Sequence, residues 1–334
     1  MTRKFSIALI LLSCILSQFG TEALAHSVAA AKDPDAIFIA KSGLLPTGLA
    51  YDAMSQRFFI SSQGDTAVAA ITRDGAVSRF IEDPTLVSTI AIKVDATRQR
   101  LLITNADPGK GARTRKDTQG KLAGLGIYDL TTGKPLSYVD LAALRPKAQH
   151  LAQDIALDAE GNAYVTDGLS PLIYRVDLTG KASIFLEDDR LATAVGVYVS
   201  LVYDPAGYLI LGKGDDGTLL KIPLANPKAL KPIVGVPKFL GVNNLVLMQD
   251  GKLALAQPAG DFAGTFLLSS DDGWDSARIQ GVRPIQTHSS VILTLRDTDL
   301  TALYSPMGEP TASDNTAGEL EIQKINIMAC PCDY

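Results

Sequence analysis

Short apolar runs, each ending near a turn and followed by a second apolar run, recur along this chain of 334 residues. The copies are 48–52 (Gly-Leu-Ala-Tyr-Asp), 91–95 (Ala-Ile-Lys-Val-Asp), 154–158 (Asp-Ile-Ala-Leu-Asp), 200–204 (Ser-Leu-Val-Tyr-Asp), 244–248 (Asn-Leu-Val-Leu-Met) and 290–294 (Ser-Val-Ile-Leu-Thr). Turn chemistry follows each run, as at Glu160-Gly161-Asn162 and Pro205-Ala206-Gly207, where Gly and Asn tolerate the positive φ of tight hairpins. Third and fourth strands come next, for example Ile173 to Asp177, then Thr179-Gly180 and Ser183 to Leu186. Little of the chain keeps a helical period, so the pattern predicts an all-β protein.

The interval between copies is roughly 45 residues, the length of a four-stranded propeller blade. One interval is longer because of a Gly- and Lys-rich insert over 108–122. The sequence therefore predicts an all-β, six-bladed β-propeller over 36–327, with the N-terminal segment Ala36–Ala40 supplying the strand that closes the last blade. Such closure protects strand edges from pairing with other chains. A β-sandwich would explain the strands but not their spacing.

The N-terminus reads as a targeting segment. Arg3 and Lys4 precede an apolar stretch from Phe5 to Phe19, and Ala23-Leu24-Ala25 offers a small-x-small cleavage site. Residues 1–25 are expected to be a signal peptide and 26–35 a linker. Lipoprotein processing at Cys14 is the rival reading. Either route predicts a secreted or periplasmic protein, and no later stretch is apolar for long enough to form a membrane helix. The formal charge of −5 becomes one unit more acidic when Arg3, Lys4 and Glu22 leave with the leader. An acidic chain without a basic stripe is not expected to bind nucleic acid. Lys110, Arg113, Arg115, Lys116 and Lys121 are broken up by Gly and Asp117, which reads as a solvated loop. Cys330 and Cys332, in the tail 328–334, are too few and too terminal to staple the fold. With three histidines in the chain, a four-ligand zinc site is not expected either.

A propeller brings the starts of its innermost strands to one mouth. Thr47, Gln153, Asp154, Ser200, Asn243 and Asn244 occupy such starts, Asn105 ends a second strand, and His288 precedes the last first strand. Concave mouths with a few aimed polar groups are the usual ligand sites. These residues, with Asp154 and His150 as candidate acid–base groups, are therefore expected to handle a small organic molecule. Asp167 reads either as part of this mouth or as an Asx turn with Gly168. Gly-x-Ser-x-Gly, Walker and dinucleotide fingerprints are absent from the sequence.

At these motifs the chain resembles the gluconolactonase/regucalcin-like family of six-bladed propellers, a clan shared with paraoxonases and strictosidine synthase. The resemblance spans about residues 36–325 and is carried by Leu45-Pro46-Thr47-Gly48-Leu49-Ala50-Tyr51-Asp52, by 120–129, by 154–167 and by 202–209. It implies lactone or ester hydrolysis assisted by a channel-mouth cation, often calcium. The family ligands, a Glu, two Asn and an Asp, are matched here by Thr47, Gln153, Val199 and Asn243. Those departures remove two carboxylates, so no metal ligand is assigned and a tight calcium site is not expected. Strictosidine synthase implies a metal-free alternative in which a channel carboxylate works alone. Three readings stay open: a hydrolase-like enzyme using Asp154 and His150, a non-catalytic binding propeller, and a protein-interaction scaffold. Fold analogy does not separate them.

Overall fold

The computed structural model describes residues 36–39, 43–63, 67–194, 199–258, 262–285, 289–306 and 319–329. The leader, Cys14, Ala25, His288, Cys330 and Cys332 lie outside them. The protein is an all-β propeller; helix among the described residues is confined to single 3₁₀ turns such as Ala96–Arg98. None is long and apolar enough to cross a membrane.

The chain folds into successive antiparallel meanders, each starting from the strand nearest the axis. The first runs Pro46–Asp52, Arg57–Ser62, Ala67–Ile71 and Val77–Glu82. Ser88–Asp95 opens the second and His150–Leu157 the third, and these two are joined into one sheet where His150 and Leu151 pair in parallel with Lys121 and Leu122. Further meanders start from Val199–Asp204, Asn244–Leu247 and Ser289–Arg296. In the sheet of Ser289–Arg296 the outer strand is Ile37–Ile39, which pairs antiparallel with Leu320–Lys324 and so ties the two ends of the described chain together. The first strands contact one another in sequence order, and Ser289–Arg296 returns to Pro46–Asp52. They surround a common axis.

Cores lie between neighbouring sheets. Phe59 and Val68 of the first meander pack against Leu101, Ile103 and Tyr128 of the second. Alternation puts one set of side chains on each face of a sheet, and both faces are covered, so the strands read as near-continuous apolar runs. Burying one such large side chain contributes about 1.5–3 kcal/mol.

The Asp that ends four of the repeats belongs to the hairpin rather than to the site. Asp52 accepts the Met54 and Ser55 N–H groups, Asp158 accepts from Asn162 N and Nδ2, and Asp204 accepts from Ala206 N and Trp274 Nε1. Asp95 takes the Nε and Nη2 of Arg100. The sixth copy is displaced from its sequence-predicted register. Leu201, Leu245 and Leu293 each donate their N–H to a side chain of the preceding first strand. Leu293 is therefore the counterpart of Leu245, and the copy is 292–296, not 290–294. Apolar runs alone do not fix phase when Val, Ile and Leu follow one another.

Candidate functional site

The first strands begin irregularly, and that irregularity decides what their polar residues do. Register shifts between Pro46 and Gly48, between Thr89 and Ile92, and between Ala152 and Ile155 leave backbone groups unpaired in their own sheet. Bulges of this kind need outside partners for the groups they free. Ser61 donates its hydroxyl to the Ile90 carbonyl at 2.7 Å. Thr104 accepts from Ala91 N at 2.8 Å and donates to the Gln153 carbonyl at 3.1 Å. Thr166 accepts from Asp154 N at 2.9 Å and donates to the Val199 carbonyl at 3.3 Å. Gly48 is small because a Cβ there would meet Ser61 Oγ at 2.6 Å and the Ile90 carbonyl at 3.0 Å.

The expected site residues take part in the same stitching. Thr47 donates to the Thr89 carbonyl. Gln153 Oε1 accepts from Val199 N at 2.9 Å. Asp154 Oδ2 accepts from Ser200 Oγ at 2.7 Å and from Leu201 N at 2.8 Å, while its Oδ1 takes Ile155 N. Ser200 Oγ also accepts from Leu245 N, and Asn244 Oδ1 accepts from Leu293 N. Asn243 Nδ2 reaches the Val291 carbonyl at 3.5 Å, and its buried Oδ1 has no partner. Thr47, Gln153, Asp154, Asn243 and Asn244 come together around a narrow axial cavity of about 40 Å³.

Two expected residues sit elsewhere. Asn105 is fully buried between loops: Oδ1 accepts from Val87 N, and Nδ2 donates to the Thr85 carbonyl and to the Tyr138 hydroxyl. Its place as a mouth residue is corrected; it locks the strand end beneath the rim. His150, 1% exposed, does not face Asp154. Nδ1 lies 2.8 Å from Asp167 Oδ2 and 2.9 Å from the Tyr174 hydroxyl, and Nε2 lies 2.8 Å from the Arg145 carbonyl. Burial acts most strongly on His150 and disfavours charge, but the bonds to Asp167 and to the Arg145 carbonyl outweigh it, so the imidazole titrates above its ordinary value. Asp167 Oδ1 gathers the N–H groups of Leu151, Leu169 and Ser170. It makes the Asx turn and also fixes two loops. This cluster is a buried scaffold, with both ring nitrogens engaged.

Those two loops form one wall of a cavity of about 470 Å³ at the strand starts. Gln149, Leu151, Gly168 and Leu169 line that wall, Thr47, Gln63 and Ile90 line another, and the 108–122 insert closes over the rim with Pro108, Lys110, Gln119 and Gly120. Asp107 shapes the insert: it accepts from Gly109 N, Thr114 Oγ1, Arg115 N and Thr118 Oγ1. Burial pushes its pKa up, yet those donors prevail and hold the carboxyl below the usual range. Arg113 anchors the insert on the Asp83 and Leu86 carbonyls. The polar lining is thus mostly amide, Gln63, Gln119, Gln149 and Gln153, with one hydroxyl, Thr47, one ammonium, Lys110, and one carboxylate, Asp107, that is already engaged by the insert. Of these the sequence pointed only to Gln153. Gln63 and Gln149 flank first- or second-strand ends, a signal that strand-start counting alone did not use.

No family model matches this chain, and no curated protein matches it. Solved structures do. The Malassezia sympodialis allergen Mala s 1 superposes with a TM-score of 0.64 at 17% identity, covering 88% of this chain and 96% of that one. A presumed gluconolactonase gives 0.55 at 14% identity, covering 89% and 94%. Virginiamycin B lyase from Staphylococcus aureus gives 0.55 at 10% identity, covering 87% and 98%. At these identities the likeness establishes a fold. The chain belongs to the class of β-propellers, and its chemistry has to be argued from its own residues.

Proposed function

We propose that this protein is an exported, six-bladed propeller that binds a small polar organic molecule at its amide-lined mouth without transforming it. The supporting observation is the division of labour at the axis. Asp154, Asp107 and His150, the groups suited to acid–base work, accept or share hydrogen bonds with backbone and neighbouring side chains; Asp107 lines the open cavity with its oxygens so engaged, beside the glutamine amides and Lys110. The ring of six first strands supports the reading of six blades, with His150–Leu157 opening its own blade despite the short parallel pairing to Lys121 and Leu122. Export rests on the leader sequence.

A family-type calcium ion does not fit the donors. Val199 has no side-chain oxygen, and Gln153 Oε1 and both Asp154 oxygens already accept hydrogen bonds. Thr47, Gln153, Val199 and Asn243 bring no carboxylate between them, and calcium needs several oxygens with carboxylate charge. The likeness to a presumed gluconolactonase and to a lyase keeps lactone hydrolysis or elimination as a second reading.

Isothermal titration with calcium and with a panel of polyhydroxylated lactones and their open acids decides between them. Binding of a panel member without turnover, weakened by Gln63→Ala and Gln149→Ala and unchanged by calcium, is expected. Turnover that is lost in a folded Asp154→Ala protein would establish the catalytic reading instead.

A further inference from the structure

The opposite end of the axis holds a second cavity, of about 320 Å³, walled by the ends of the first strands. This volume lies within the range of small-molecule pockets. Register places Ala50, Lys93, Ala156, Val202, Val246 and Thr294 at equivalent positions in those strands. The others are small and uncharged; Lys93 alone carries a charge. It borders both this cavity and the narrow axial one.

Lys93 has no ion-pair or hydrogen-bond partner among the described residues. The carboxylate that shares the narrow cavity with it, Asp154, is engaged by Ile155 N, Ser200 Oγ and Leu201 N. The walls around Lys93 are part polar and part apolar, with Leu157, Leu247 and Leu295 half-buried beside the rings of Tyr51 and Tyr203. An unpaired, half-buried ammonium at such a cavity is free to form a charge-assisted hydrogen bond with an anionic ligand.

We infer that this far mouth binds a small organic anion, a carboxylate on an apolar body, with the carboxylate at Lys93 Nζ and the body against Leu157, Leu247 and Leu295. The site lies at the other end of the channel from the amide-lined mouth and does not depend on it.

Benzoate is the probe, with benzamide as its neutral counterpart, titrated into the whole protein by calorimetry. Lys93→Ala is expected to fold, because Ala fills the same position at Ala50 and Ala156. Benzoate is expected to bind more tightly than benzamide, to lose about tenfold or more in affinity in Lys93→Ala and Lys93→Gln, and to keep its affinity in Lys93→Arg. Unchanged affinity in Lys93→Gln, or absence of benzoate binding to the unaltered protein, overturns the inference. Loss of binding in Lys110→Gln instead of Lys93→Gln also overturns it, by placing the anion at the near mouth and leaving that proposal standing. A Lys93-dependent benzoate site in a protein that ignores the lactone panel would do the reverse.

Discussion

His150 illustrates how a residue with the right chemistry is put to structural use. The Nε2 proton goes to the Arg145 carbonyl, and Nδ1 faces Asp167 and the Tyr174 hydroxyl. The charged groups bearing on it are Asp167 and, more remotely, Asp140, with Arg145 near Tyr174. A folded pKa above the ordinary 6.5 means that the native state holds this proton more tightly than the unfolded chain does. Its contribution to stability is fully present below about 6.5 and is lost as pH rises through the folded value. Melting temperatures of the wild type and His150→Gln, measured across that range, should differ most at the acid end and converge as the imidazole loses its proton. A gap that widens with pH would contradict this assignment. Proximity in sequence to Asp154 suggested a catalytic pair, but strand alternation and the bulge send the two side chains to different partners.

Within each element, bulge and hydroxyl go together. Ser61, Thr104 and Thr166 stand on second strands opposite the three bulged first strands, whereas Gly212 and Ala256 stand where pairing runs without a register shift. A hydroxyl both accepts and donates, so it can serve a freed N–H in its own sheet and a freed carbonyl in the next. Thr104→Val keeps the shape and removes both bonds, stranding Ala91 N and the Gln153 carbonyl. It should cost about 1–3 kcal/mol in denaturant unfolding, with Thr104→Ser costing less. Equal stability of the Val variant would mean that the bonds are dispensable. The alternation of apolar residues was legible in the sequence, because two-residue periodicity is imposed by strand geometry itself. The bulges were not, since an extra residue in one strand shows only against its partner. Ser200, Asn244 and Asp154 looked like pocket residues because their bonds to the next first strand are not local; each accepts an N–H of that strand.

At the scale of the whole molecule, stability depends on closing the ring between distant parts of the chain. Ile37–Ile39 and Leu320–Lys324 pair in register, and Leu320 and Ile322 pack with Ile37, Ile39, Phe58 and Ile60. Ending the chain before Leu320 would remove the partner of both Ile37–Ile39 and Asp299–Pro306. It would also uncover a long edge strand, an invitation to edge-to-edge association. Size-exclusion chromatography of the truncated protein should show soluble aggregates or higher oligomers and a lowered melting temperature. A stable species eluting like the full chain would show that the remaining sheets hold without closure.

By itself the sequence determined the strand-rich class, the repeat length and the apolar positions, because these follow from local rules: two-residue alternation, turn-forming glycines and the size of a four-stranded unit. It also brought Thr47, Gln153, Asp154, Asn243 and Asn244 to the same strand starts. Only the tertiary structure decided what they do there. Their partners are mostly backbone groups of the neighbouring sheet, reached across more than forty residues of chain. The open walls were left instead to Gln63, Gln119, Gln149 and Lys110, and the far mouth to Lys93. A side chain's chemistry is available to a ligand only when the fold has not already used it, and that depends on contacts no local pattern encodes.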